Sequence, residues 1–123
     1  MAKILVVDDD PSVIEILRHL LTREGHLVAI AHNGKEGLAT ARKDKPDLIV
    51  LDIMMPEIDG ITVGGILFQD PVLRRTPVLV LTAKESAKEI LMMLPNVRRY
   101  MQKPFDPPEL VKNVRELLSV TPA

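Results

Sequence analysis

Two unbroken aliphatic runs, Ile4-Leu5-Val6-Val7 and Leu48-Ile49-Val50-Leu51, constrain this chain more than any other feature. A strand with one wet face alternates apolar and polar residues, whereas a continuous aliphatic run belongs to a strand buried on both faces. Residues 3–8, 27–31, 47–52, 77–82 and 98–102, each short and rich in Val, Ile, Leu or Ala, are read as five strands. The stretches between them carry helical periodicity and capping signals. Strands alternating with helices predict an α/β fold, a parallel sheet covered on both faces by right-handed crossovers.

The helix signals are specific. Asp10-Pro11 supplies an N-cap carboxylate and a proline at the first helical position, where its missing N–H costs nothing. The stripe Val13, Ile14, Leu17, Leu20, Leu21 follows, and Gly25 ends it. Asn33 and Glu36 form a capping-box pattern for a second helix that stops before Lys45-Pro46. A third helix over 60–68 is weakened by Gly64-Gly65, which cost about 1 kcal/mol each relative to Ala. Either it is short and bent, or the glycines permit close packing. Ser86 and Glu89 open a fourth helix ending at Pro95. Asp106, Pro107 and Glu109 open a fifth, with the stripe Leu110, Val111, Val114, Leu117, Leu118.

Acids stand where the two runs end: Asp8 and Asp9 after the first, Asp52 after the second. Open α/β sheets bind ligands beyond the carboxyl ends of their strands. The three acids therefore suggest one anionic pocket suited to a small hard cation such as Mg²⁺, against the alternative of solvated surface acids. Asp10 is read as a helix cap only. His19, His26 and His32 have no metal-ligand spacing, and Met54 and Met55 are read as loop packing because Mg²⁺ prefers oxygen. At 123 residues the chain has room for one domain. Aromatic residues are only 2% and net charge is −1, which argues against a stacking platform or a basic nucleic-acid surface. The absence of Cys removes thiolate metal sites and fits a reducing, cytoplasmic setting. The opening apolar run is too short for a signal peptide or membrane span.

Four motifs in order, Ile4-Leu5-Val6-Val7-Asp8-Asp9-Asp10, Leu51-Asp52-Ile53-Met54-Met55-Pro56 with Asp59-Gly60, Leu81-Thr82-Ala83, and Lys103-Pro104-Phe105, resemble the receiver domain of bacterial response regulators. The resemblance covers essentially the whole chain, residues 1–123 as one domain with 120–123 as a terminal tail. It implies a flavodoxin-like, doubly wound, five-stranded parallel sheet of order 2-1-3-4-5 with five helices, which sets strands one and three side by side. It implies Asp52 as the phosphoacceptor for a histidine kinase or histidine phosphotransfer protein. Mg²⁺ would be held by Asp9, Asp52 and the backbone carbonyl of Met54, with Asp8 acting largely through coordinated water. Lys103 and the Thr82 hydroxyl would face the phosphoryl oxygens. Thr82 and Tyr100 would form the switch, with output on helix four, strand five and helix five. Met54 and Lys84 occupy the two positions that tune the lifetime of the aspartyl phosphate. A cis bond before Pro104 is also implied.

The match frays at Leu94-Pro95-Asn96-Val97-Arg98-Arg99, about one residue short of the usual pattern. Arg98 and Arg99 are read as a solvated edge, and Met92 and Met93 as lying off the core stripe on a partner-binding face. The expected function is a signalling phosphoacceptor, not an enzyme, with a downstream effector or output domain as partner and neither nucleic-acid binding nor membrane insertion. Two rivals stand beside it. A Mg²⁺-dependent aspartyl-nucleophile phosphohydrolase would place an acid two residues beyond the nucleophile, where Met54 stands. A phosphorylation-independent, degenerate receiver-like module is disfavoured by the complete set Asp8, Asp9, Asp52, Thr82 and Lys103, and its only support is the frayed segment before Tyr100.

Overall fold

The computed structural model describes residues 2–53, 60–83 and 92–119. Five strands run β1 (Lys3–Val7), β2 (Leu27–Ala31), β3 (Leu48–Leu51), β4 (Val78–Thr82) and β5 (Val97–Gln102). All neighbouring pairs are parallel, and the sheet order is β2-β1-β3-β4-β5. Among the described residues there are four α-helices, α1 (Pro11–Arg23), α2 (Gly34–Asp44), α3 (Gly60–Gln69) and α4 (Pro107–Ser119), with a 3₁₀ turn at Leu73–Arg75. Five helices were expected; the one opening at Ser86 falls on 84–91, outside the described residues. No described helix is long and apolar enough to cross a membrane.

The aliphatic runs work as their pattern requires. Alternate residues of each strand face opposite layers, and both layers are apolar. Leu5, Val7, Ile49, Leu51, Val78 and Val80 pack on one side against Leu38 and Ala41 of α2 and Val63 and Leu67 of α3. Ile4, Val6, Leu48, Val50, Leu79 and Leu81 pack on the other against Leu17 and Leu21 of α1 and Leu110, Val114 and Leu117 of α4. With helices on both faces, the sheet keeps an open rim where the strands' carboxyl termini emerge, the end at which open α/β sheets bind ligands.

The caps are largely those read from sequence. The Asp10 side chain accepts from Ser12 N, and Pro11 opens α1. Asn33 Oδ1 accepts from Glu36 N at 2.8 Å. The reciprocal half of that capping box is not what the Glu36 carboxylate does: its Oε1 lies 3.3 Å from His32 Nδ1. Lys45 closes α2 in the left-handed region (φ 49°) ahead of Pro46. The Lys103–Pro104 bond is cis.

The stretch before β5 has its own construction. The β4–β5 register slips by one residue, Val78 pairing with Val97 but Leu79 with Arg99. Buried Asn96 ties this irregularity to α3: its carbonyl accepts from Val78 N at 2.8 Å, and its Nδ2 donates to Gly64 O at 3.3 Å. A Cβ on Gly64 would stand 3.3 Å from Leu94 Cδ1, so this glycine does serve a close approach, whereas Gly65 has nothing within 4 Å. Arg98 is exposed, and Arg99 Nε reaches Asn113 Oδ1 at 3.3 Å.

Candidate functional site

The acids converge because their strands are neighbours. Val7 and Leu51 pair across β1 and β3, so Asp8 and Asp52 emerge side by side from the sheet. Backbone bonds hold both: Asp8 N donates to Ala31 O at 3.1 Å and Asp52 N to Val7 O at 2.9 Å. Asp8 is 2% exposed and Asp52 4%, while Asp9 is open to solvent. One carboxylate oxygen from each of Asp8, Asp9 and Asp52 lies within 4.8 Å of the others.

Lys103 enters from the far side of the sheet rim, just beyond β5. Its backbone N donates to Thr82 O at 2.9 Å, which fixes it against the end of β4. Its Nζ lies 2.8 Å from Asp8 Oδ2 and 3.4 Å from Asp52 Oδ2. Asp8 Oδ1 accepts from Asp10 N at 2.9 Å. Thr82, fully buried at the end of β4, sits in the adjoining strand position. Tyr100 is half-buried in β5 against the layer that holds α2 and α3. Met54 and Lys84 lie outside the described residues.

Two like charges about 4 Å apart near a protein surface repel by about 4 kcal/mol, so a buried acid pair needs a cation. Here the ammonium provides it. Burial pushes the Asp8 carboxyl above its ordinary range, against the bonds from Lys103 and Asp10 N that favour the ionised form. For Lys103, burial disfavours the charge, but the bond to Asp8 and the charges of Asp8 and Asp52 outweigh it and raise its pKa. Hard oxygens of one sign, one open flank at Asp9 and a fixed cation opposite make a donor set that fits Mg²⁺.

Asp8, Asp9, Asp52 and Lys103 are thus brought together as read from sequence. Not foreseen was that Lys103 contacts Asp8 more closely than Asp52, or that the amide of Asp10 serves Asp8. A backbone donor leaves no signal in residue type.

The chain matches the model of the response regulator receiver domain over residues 4–115. It is 44% identical over 117 residues to the alkaline phosphatase synthesis transcriptional regulatory protein PhoP of Bacillus subtilis, covering 94% of this chain and 48% of PhoP. Protein PilH of Pseudomonas aeruginosa is 35% identical over 120 residues, covering 97% of this chain and 99% of PilH. Among solved structures, the response regulator TrrA of Thermotoga maritima, in complex with Mg²⁺–BeF, superposes with a TM-score of 0.86 at 33% identity, covering 95% of this chain and 99% of that one. The chain spans about half the length of relatives such as PhoP and nearly all of PilH. With the family model spanning nearly its whole length and an acid trio at the sheet's rim, the chain belongs to the response regulator receiver domains.

Proposed function

We propose that Asp52 of this chain accepts a phosphoryl group from a histidine kinase or histidine phosphotransfer protein, in a Mg²⁺-dependent reaction in the cytoplasm. The observation that carries the reading is the Lys103 ammonium set against Asp8 and Asp52 with Asp9 alongside. A carboxylate nucleophile, a hard-oxygen donor set and a fixed cation share one sheet rim. An Asp52 oxygen attacks phosphorus; the new P–O bond forms as the P–N bond to histidine breaks and the imidazole leaves. When bound, the metal supplies charge neutralisation at the transferring group. Asp9, Asp52 and the Met54 carbonyl are its proposed ligands, with Asp8 acting through water. Lys103 and the Thr82 hydroxyl orient and neutralise the phosphoryl oxygens.

The switch follows from the same rim. Thr82 is drawn toward the phosphoryl group and Tyr100 turns inward, changing a face that includes β5 and α4. A downstream effector, or an output domain in a longer protein, reads that face; its exposed Met93, 80% accessible, suits an adaptable contact. The chain performs its own phosphotransfer and dephosphorylation and no other turnover, and it neither binds nucleic acid directly nor inserts into membrane.

Intact mass after incubation with Mg²⁺ and a small acyl phosphate tests this. Wild type gains one phosphoryl group and Asp52→Asn gains none. No gain by folded, Mg²⁺-bound wild type would sink the reading in favour of a phosphorylation-independent module.

A further inference from the structure

β5 is the last strand of the sheet, so one of its sides is open. Its register with β4 slips at Arg98: Val97 pairs with Val78 and Arg99 with Leu79, leaving Arg98 as the extra residue. Such irregularities re-aim a side chain and interrupt backbone pairing. Arg98 is exposed, and its Nε donates to Pro95 O at 3.0 Å, which folds it back over the turn that follows exposed Met92 and Met93. Among the described residues it has no acidic partner. Arg99 is better tied, with its Nε 3.3 Å from Asn113 Oδ1. Its contact with Glu116 Oε1 is 3.8 Å, too long for a charge-assisted hydrogen bond. The edge thus presents one guanidinium without a counter-charge and one loosely matched, beside two exposed thioethers. Charges on an edge strand discourage a second strand from pairing there. That accounts for the arginines but not for the methionines, which invite the contact that a guard would refuse.

We propose that Arg98 and Arg99, with Met92 and Met93, form the selecting element of this face, and that it takes an acidic, amphipathic segment of a protein partner. This rests on the reading of β5 as part of the output face. The slipped register and the charges oppose an added strand, so the occupant is held by side chains. Its apolar residues lie on the methionines and its carboxylates meet the guanidinium forks. A second copy of the chain fits poorly. An isologous contact lays one patch on itself, so it would bring both arginine pairs into one interface with Glu116 already engaged. The chain as a whole carries a net charge of −1, so its mean field does not favour acids. A preference for an acidic segment therefore has to come from a local patch, and this edge supplies one.

The test uses two labelled peptides of equal length with leucines at helical spacing, one filled out with Glu and the other with Lys, titrated with the full chain by fluorescence anisotropy. Wild type should bind the Glu–Leu peptide about tenfold more tightly than the Lys–Leu peptide, the gain expected from two exposed ion pairs, and added NaCl should erode that gain. Arg98→Glu should reduce the preference, and Arg98→Glu with Arg99→Glu should reverse it. Replacing both arginines by Lys should keep it within a few-fold, and Met93→Ser should weaken both peptides alike. Arg98 touches only Pro95 O, so the single variant keeps the test sound should the double variant lose its fold. Equal binding of the two peptides, binding of neither, or a preference that survives Arg98→Glu and the double reversal in folded protein overturns the proposal. So does a wild-type dimer in sedimentation that Arg98→Glu dissociates, since the occupant would then be a second copy. Acyl phosphate with Mg²⁺ should change the affinity for the Glu–Leu peptide; if the preference stands but does not respond, the switch reading of β5 fails and the partner chemistry remains.

Discussion

Asp8 and Asp70 are both carboxylates held by backbone N–H groups, and their environments move them in opposite directions. Asp8 accepts one amide bond and one from Lys103, yet burial dominates and raises its pKa. Asp70 accepts from Leu73 N and Val72 N at 3.1 and 2.8 Å, with little burial to oppose them, and its pKa is lowered. Since the folded pKa lies below the unfolded one, the stability Asp70 contributes is present above the unfolded value of about 3.9 and lost as pH falls through the folded value. Urea denaturation should find Asp70→Ala less stable than wild type at pH 7, with the difference closing once Asp70 of wild type is protonated in both the folded and the unfolded state. A difference that persists in acid would mean the side chain acts through packing. At the residue scale we also propose that the aspartyl phosphate is comparatively long-lived without an external phosphatase. Met54 is apolar and Lys84 cationic, so neither is suited to orient a hydrolytic water. Replacing the pair by Met54→Asn and Lys84→Glu should speed loss of the aspartyl phosphate, followed by mass over time; an unchanged or slower decay counts against the assignment.

At the scale of elements, two glycines of similar sequence appearance differ in what they do. Gly37 lets α2 lie on β1: an added Cβ would stand 2.9 and 3.0 Å from the γ-carbons of buried Val7, the residue before Asp8. A branched side chain in a packed core has little room to yield. Overpacking typically costs about 1–3 kcal/mol, against about 1 kcal/mol recovered in helix propensity, so Gly37→Ala should destabilise on balance. Gly65 meets nothing, and Gly65→Ala should stabilise by about 1 kcal/mol. The shifts in urea midpoint should have opposite signs, and matching signs would defeat this account of how α2 and α3 pack. Strands and caps were legible because aliphatic runs, Asp10-Pro11 and Asn33 act over a few residues. The purpose of Gly64 was not legible, because its neighbours Leu94 and Asn96 lie some thirty residues away. Nor could sequence show that Glu36 would turn to His32 and leave the capping box half-made. The acid site was legible as a set of residues; its internal pairing was not, since proximity of Lys103 to Asp8 is fixed by sheet order.

Over the whole molecule, the parallel sheet separates holding from acting. Two apolar layers fix the strands, and the acid cluster with Lys103 sits at the rim where β1, β3 and β4 end and β5 passes into Lys103. Beside that rim runs a groove of about 450 Å³, lined by Val13 and Ile16 of α1 and by Lys103, Pro104 and Phe105. Ile16 is 47% exposed there despite its apolar side chain. On the proposed reading a small phosphodonor would need only the acid cluster and Lys103, whereas a protein donor would have to bring its histidine to Asp52 across a surface. Because Lys103 both lines the groove and contacts Asp8 and Asp52, the groove adjoins the proposed transfer path. Burying an aliphatic side chain fully contributes about 1.5–3 kcal/mol, so losing part of that contact at Ile16 corresponds to about tenfold in affinity. Ile16→Ser should therefore slow transfer from a histidine kinase that phosphorylates the wild-type chain by about that factor. The rate with acyl phosphate should be unchanged, because Ile16 is outside the acid cluster and carries no group that could serve the phosphoryl oxygens. Equal slowing with both donors would place the effect inside the acid cluster, and no slowing with either would leave the protein donor approaching over another part of the rim.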